Sequence, residues 1–520
     1  MYLVRLAQYA LKEGPVTSLC LVVVAVALLV YNLRRMRMVQ LIGKIPGPEA
    51  LPIIGNCLQM NVDHDEIFER LAGSRKLWGR SLGFSKGWLG NKPYIFISKA
   101  TALEEIIGSV KHIEKSSEYN YLHPWLGTGL LTSSGQKWQF RRKILTPAFH
   151  FRILDDFIDI FREQSDIFVE KLQKECGQGT FNIFPYVTLC ALDIICETAM
   201  GHQVQAQSNS DSEYVRAVYE IGSIVQTRQA KLWLQPDWLF RMSSLHKRHQ
   251  NCINILHSFS NKVITDRKAE ISKNKSQGEQ LFDEKEDLGG KKRLAFLDLL
   301  IEASQDGKVL SDEDIREEVD TFMFEGHDTT SAGISWLLFL LGWHPDIQDK
   351  VVAEIEAVFG GEDRPLTMKD LTSMKYLECC IKEALRLYPS VPIMARSLQE
   401  DIVIEGYTIP AGTVAMIITY MLHRDPEVFP HPERFNPDHF LAENCRGRHP
   451  YAFIPFSAGP RNCVGQKFAL LEEKAVISTF LRKYRIVSVD RREDLTLLGE
   501  LILRPKNGLR VKIFPRNRSS

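Results

Sequence analysis

Residues 456–474 read FSAGPRNCVGQKFALLEEK. A single cysteine is most often a small buried hydrophobe. The neighbours of Cys463 point elsewhere. Gly459, Pro460 and Gly465 make a loop that a flat, bulky group could approach closely. Arg461 puts a cation two residues away. A helix starting just after the cysteine aims its N-terminal amides at the sulfur, which favours thiolate. A thiolate in a tight glycine loop is how a haem iron is held from one side.

The rest of the chain sets the frame for this loop. It has 520 residues, 44% hydrophobic and 25% charged, with a formal net charge of +1. That composition is ordinary for a globular protein and gives no electrostatic case for nucleic acid. The 10 cysteines include no C-x-x-C pair. They suggest neither a disulfide framework nor a zinc site, and reduced thiols fit a cytoplasmic catalytic domain. Residues 16–33, VTSLCLVVVAVALLVYNL, carry no charge and are followed by Arg34, Arg35 and Arg37. A run of that length is near the lower limit for a spanning helix. The basic excess after the run predicts a single-pass anchor with the body in the cytoplasm, rather than a cleaved signal peptide. The alternative is a buried core helix, which the position beside an arginine cluster disfavours.

Residues 1–37 are therefore read as the membrane anchor, 38–56 as a proline-rich hinge and 57–520 as the catalytic domain. KIPGPEALPIIGN, residues 44–56, holds three prolines and two glycines and cannot be helical. Residues 94–100 form a strand candidate, with a helix from Thr101. Residues 152–173 carry Ile153, Phe157, Ile160, Phe161, Ile167, Phe168 and Leu172 at helical spacing. Residues 268–293, charged and glycine-containing, read as a mobile surface loop. A long helix is expected over 311–344, with Ser311 and Asp314 as a capping box and Pro345 as its stop. A second helix spans 375–387, short strands follow over 402–420, and a last helix runs from just after Cys463 to about Tyr484. The fold class is mainly α with a minor β-sheet.

The pattern F-x-x-G-x-R-x-C-x-G, carried by Phe456, Gly459, Arg461, Cys463 and Gly465, resembles the haem-binding loop of the cytochrome P450 superfamily. The resemblance implies the cytochrome P450 fold, haem b, Cys463 as the axial metal ligand and Arg461 as partner of a haem propionate. Glu383-Ala-Leu-Arg386 is similar to the family's E-x-x-R, and i, i+3 on a helix allows an ion pair. The family's third member sits in F-x-P-x-R-F. Here PERF offers Arg434, but the full pattern matches residues 435–440 and puts His439 in the arginine's place, a weaker and pH-dependent partner. Trp138 and Arg142 resemble W-x-x-x-R, and Arg396 in PSVPIMARS matches a further arginine; the resemblance implies that all three bind haem propionates. Residues 119–132, rich in Tyr, Leu and Trp, would line an apolar substrate pocket.

Residues 319–341, VDTFMFEGHDTTSAGISWLLFLL, are apolar apart from a cluster at their centre. Burying those polar groups is costly unless each finds a partner. The cluster resembles the superfamily's distal-helix motif. Asp328 and Thr329 are then the catalytic acid and threonine that position water and deliver two protons for dioxygen cleavage. A threonine hydroxyl bonded to a carbonyl one turn back, beside a helix-weakening glycine, would open the helix locally. Most members carry a small residue where this chain has Glu325. EGHDTT is similar to the fourth family, the fatty-acid ω-hydroxylases, in which this glutamate forms an ester with a haem methyl. The alternative for Glu325 is a protonated or hydrogen-bonded acid. His327 has no assigned role.

Stretches 188–201, 316–330 and 451–466 are similar to subfamily V of that fourth family. The resemblance implies an NADPH- and O2-dependent monooxygenase of the endoplasmic reticulum membrane, acting at or near the ω end of saturated and polyunsaturated fatty acids. It also implies electrons from NADPH–cytochrome P450 reductase, with cytochrome b5 as a second donor, since no G-x-G-x-x-G follows a strand. Arg141, Lys143 and Lys467 are candidate contacts for such an acidic partner. Competing readings are hydroxylation of another lipid or a xenobiotic, a haem-thiolate isomerase or dehydratase, and a haem carrier or sensor. The isomerase class tends to lack the acid–threonine pair.

Overall fold

A computed structural model describes residues 15–79, 82–149, 151–209, 212–276, 295–305 and 307–516. The helices that matter for the site are α1 (Pro15–Gly43), α2 (Gly135–Leu145), α3 (Ile158–Leu172), α4 (Phe184–Thr198), α5 (Glu213–Ala230), α6 (Ser244–Ser276), α7 (Asp312–Trp343), α8 (Lys375–Leu387) and α9 (Gln466–Lys483). The start of α7 is set by its cap. The Ser311 hydroxyl accepts the Asp314 N–H at 3.1 Å, and the Asp314 carboxylate accepts the Ser311 N–H at 3.0 Å. Asp312, Glu313 and Asp314 add negative charge at the positive end of the helix dipole.

Helix α7 runs through the body and packs against α4, α6, α8 and α9. Two glycines let its neighbours close in. A Cβ on Gly326 would lie 2.5 Å from the Ile195 side chain of α4, and one on Gly333 would lie 2.4 Å from the Glu473 carboxylate of α9. The ring of Trp336 in α7 stacks on Tyr388 just after α8, with centroids 3.9 Å apart. These helices share one large buried apolar cluster. A second cluster lies under a four-stranded sheet ordered Phe84–Leu89, Lys92–Ile97, Val414–Ile417, Met394–Ser397. Its central pair is parallel and its outer pairs antiparallel. A two-stranded hairpin, Leu497–Gly499 with Leu503–Pro505, brings Arg504 to the back of α7.

Several expectations are adjusted. Segment 152–173 is two helices, Phe151–Asp156 and α3, parted at Phe157. Residues 268–276 of the expected loop are helical, the end of α6; 277–294 lie outside the described residues. Helix α1 continues to Gly43, so residues 38–43 are helical and the hinge begins at Lys44. Among the described residues, no helix is long and apolar enough to cross a membrane.

Candidate active site

Over residues 319–341 of α7, Glu325, Gly326 and Thr329 are half-buried and every other residue is buried. Glu325 and Thr329 are one turn apart with Gly326 beside them, so a single helix face meets open space inside the protein. Cys463 also keeps accessible surface. Yet lost solvation, and after it the charge of Glu325, push its thiol up to about 11, against the opposing Gly465 N–H and Arg142. The charge of Glu325 registers at the sulfur, so α7 and the cysteine loop bring the two residues near each other. Burial likewise pushes the Glu325 carboxyl up, opposed by Lys115. The Thr329 hydroxyl donates to the Glu325 carbonyl at 2.7 Å. Helix α7 nevertheless stays unbroken from Asp312 to Trp343, so the expected local opening is not present. Gly326 serves the close approach of Ile195 instead.

The cysteine loop is held from several sides. Gly459 has a φ of +65°, and a Cβ there would sit 2.0 Å from the Ile107 carbonyl oxygen, so only glycine fits. Arg461 Nε donates to the Ile113 carbonyl at 3.0 Å and Nη1 to the Leu130 carbonyl at 3.3 Å. Its guanidinium lies over the Trp138 ring, 4.4 Å from the centroid, which joins two of the expected cofactor residues. Arg142 donates both Nη groups to Asn462, at 2.8 Å to the carbonyl and 2.7 Å to the side chain. It braces the residue before Cys463.

Arg396 is buried, with Nη1 3.0 Å from the Ala395 carbonyl. Its guanidinium and Arg461 face a third cation that sequence reasoning missed, Lys115. Burial first, then Arg396 and Arg461, hold the Lys115 ammonium well below its usual range, while Glu325 works the other way. Burial and the nearby Arg396 lower Arg461 to about 10. Three cations crowded at the rim of one cavity call for an anionic ligand. The donor set would suit an iron porphyrin: Cys463 would supply a soft sulfur ligand, and Lys115, Arg396 and Arg461 would pair with its carboxylates. Nothing local flags Lys115, which stands in the polar stretch HIEKSSEYN; only the fold brings it to Arg396.

Asp328 faces away from the cavity. It has no exposed surface and is ion-paired with Arg504 behind α7. His327, also without exposed surface, has Nδ1 2.5 Å from the Met323 carbonyl oxygen. The Thr330 hydroxyl donates to the Gly326 carbonyl at 2.8 Å, and the Ser390 hydroxyl to the Thr329 carbonyl at 2.7 Å. Thr329 and Asp328 thus lie on different sides of one helix.

Glu383 and Arg386 meet in α8 with no exposed surface on either. His439 Nδ1 lies 3.2 Å from Glu383 Oε1. Arg434, the competing candidate, is exposed and contributes its carbonyl to Arg386 at 3.0 Å. Of the basic residues proposed for partner docking, Lys143 and Lys467 are exposed. Arg141 is corrected: it is buried and paired with Asp314, because α7 passes beside α2 and supplies the acid.

A cysteine in a glycine-held loop, a nearby helix face bearing Glu325 and Thr329, and a cluster of three cations together define a haem-thiolate protein. The cytochrome P450 family model matches residues 45–513. The chain is 61% identical to cytochrome P450 4c3 of Drosophila melanogaster, over 99% of this chain and 97% of that protein. It is 52% identical to human cytochrome P450 4V2 over 90% of this chain and 89% of that one. It is 47% identical to cytochrome P450 4c21 of Blattella germanica, over 95% and 98% respectively. The chain belongs to the cytochrome P450 family, and within it to family 4, near subfamily V. It is a haem-thiolate monooxygenase that takes electrons from a redox partner.

Proposed function

We propose that this monooxygenase hydroxylates fatty acids at the ω end, with Glu325 esterified to the haem. The observation that carries the proposal is the position of Glu325: half-buried on the face of α7 that also carries Thr329, and near enough to Cys463 for its charge to register there. A carboxylate there is disfavoured by burial, and an ester removes the charge while tethering the cofactor. A rigid haem could hold a terminal methyl in place although its C–H bond is harder to break than its neighbour. When bound, haem supplies oxygen activation. Arg396, Arg461 and Lys115 would hold its propionates, Trp138 and Arg142 would keep Arg461 and the cysteine loop in position, and Thr329 would hold a proton at the cavity wall.

The same proposal has NADPH-derived electrons arriving through the flavoprotein reductase, with cytochrome b5 as a second donor, and α1 anchoring the chain in the endoplasmic reticulum membrane. The exposed Leu19, Val22, Val23, Val26, Leu29, Val30 and Leu33 on α1 support a lipid contact. Purified protein, reductase, NADPH and a fatty-acid series test the reaction through the position of the hydroxyl in the products. Acidic organic solvent tests the ester. Wild type should keep its haem and Glu325→Ala should lose it; free release from active wild type sinks the tether, and retention by Glu325→Ala puts it elsewhere.

A further inference from the structure

The last turn of α5 holds a guanidinium that is buried but only partly claimed. Arg228 Nε donates to the Leu234 carbonyl at 3.0 Å. Its Nη2 donates to the Gln235 carbonyl at 3.2 Å and pairs with Asp237. Its Nη1 has no hydrogen-bond partner among the described residues. The two members of the ion pair differ sharply: the Arg228 side chain is 6% exposed and that of Asp237 is 78% exposed. Asp237 opens the short helix Asp237–Met242, and a carboxylate so well solvated gains little from pairing. Arginine can offer two parallel N–H groups to one carboxylate. Here an exposed, exchangeable side chain fills half of such a two-point seat.

The surroundings suit the head of an amphipathic anion. The ring centroids of Tyr121 and Phe240 lie 4.6 Å and 4.1 Å from the Arg228 guanidinium. Tyr121 belongs to the segment 119–132 expected to line an apolar pocket. Two residues earlier Tyr119 lies beside Arg396, with the Lys115 ammonium 4.2 Å from its ring centroid. One stretch of chain therefore touches both the cations assigned to the cofactor and Arg228. Past Tyr121 it continues through buried Leu122, Trp125 and Leu126. Phe240 also packs on His246 and His249 of α6, with centroids 5.6 Å and 5.4 Å away. Nδ1 of each histidine is buried with no partner. Glu118, the other acid near Tyr121, is taken by Lys92 at 2.7 Å and by the Tyr94 hydroxyl at 2.5 Å. That leaves Asp237 as the acid in contact with Arg228.

We propose that Arg228 is the seat of the substrate's carboxylate and that Asp237 is a placeholder which the substrate displaces. The proposal rests on the fatty-acid reading and deepens it, because an enzyme working at the ω end must hold the opposite end of the chain elsewhere. The two carboxylate oxygens take Nη1 and Nη2, Asp237 turns out to water, and the chain leaves along Tyr121 and the apolar residues that follow it. A guanidinium already desolvated and fixed by two backbone carbonyls has little order left to lose on binding.

The test uses the full-length haem-loaded protein and titration calorimetry with hexadecanoate and hexadecanol. Wild type should bind the acid at least about tenfold more tightly than the alcohol, the order expected of a hydrogen bond to a charged group. Arg228→Gln should bind the two equally, with the dissociation constant for the alcohol unchanged. Arg228→Lys should recover only part of the preference, because an ammonium cannot make the two-point contact. Asp237→Asn should tighten the acid several-fold and leave the alcohol as it was. The proposal is overturned by equal binding of acid and alcohol to wild type, by an acid preference that survives Arg228→Gln, or by an acid affinity indifferent to Asp237→Asn. Equal weakening of both ligands in Arg228→Gln, the mark of a merely structural role, also overturns it. Because Asp237 lies at the surface, its variant decides the matter even if Arg228→Gln does not fold. A wild type that binds neither ligand sinks the fatty-acid reading itself, whereas acid-selective binding that ignores Arg228 removes only the seat.

Discussion

Arg386 grips Glu383 with two parallel bonds, Nε to Oε2 and Nη2 to Oε1, each 2.7 Å long. Its Nη1 also donates to the carbonyls of His423 at 3.0 Å and Pro432 at 2.7 Å. The pair therefore ties α8 to the segment that precedes the cysteine loop. Removing one partner strands a buried charge and costs about 3–5 kcal/mol. Glu383→Gln and Arg386→Leu should express poorly and fail to show the thiolate-type carbon monoxide spectrum. Arg386→Lys should not rescue, because an ammonium cannot make the two-point contact.

Arg141 and Lys143 should separate on testing. Arg141 is committed to Asp314, with Glu318 at 3.7 Å. Arg141→Gln should lower the melting temperature and leave the dissociation constant for reductase unchanged. Lys143→Glu and Lys467→Glu, both at exposed positions, should weaken reductase binding with little effect on stability. The difference should shrink in high salt.

Glu473 gives a pH prediction. Burial raises its carboxyl to about 8, well above the ordinary value of about 4.3. Between those values the folded chain keeps a proton that the unfolded chain has released. The proton-linked stability is full below the ordinary value and is lost as pH rises through about 8. Glu473→Gln, neutral at all pH, should be more stable than wild type by a margin that grows to the order of a few kcal/mol by pH 8. Melting temperatures from pH 5 to 9 check this; a margin independent of pH would refute it.

Gly326 should tolerate no side chain. Alanine improves helix propensity by about 1 kcal/mol, but its Cβ would meet two Ile195 carbons at 2.5 Å, and overpacking costs about 1–3 kcal/mol. Gly326→Ala should be a net loss in thermal unfolding. Combined with Ile195→Ala, the two losses should sum to less than their separate values.

Local chemistry wrote much of this protein legibly. The cap of α7, the span of α8 and the start of α9 follow from short-range signals: Ser311 with Asp314, prolines at the stops, and a helix opening after the cysteine. Spacing allowed Glu383 to pair with Arg386, and the family patterns E-x-x-R and F-x-P-x-R-F marked that pair and aligned His439 as a candidate third partner. The family motif around Cys463 named the cofactor class from a handful of residues.

What could not be read lies in contacts across large stretches of chain. Arg504 is 176 positions from Asp328, and no periodicity links a hairpin arginine to a helix acid. Lys115 joins Arg396 only once the sheet and the cavity rim are assembled, and Arg141 is buried only because α7 runs past it. Sequence determined which residues could bind iron, pair, cap or span, because those properties belong to side-chain chemistry and local geometry. Tertiary structure decided which way each one faces. Helix packing put Glu325 and Thr329 on the cavity and turned Asp328 away from it, since adjacent positions on a helix point about 100° apart and only the neighbours determine which direction is inside.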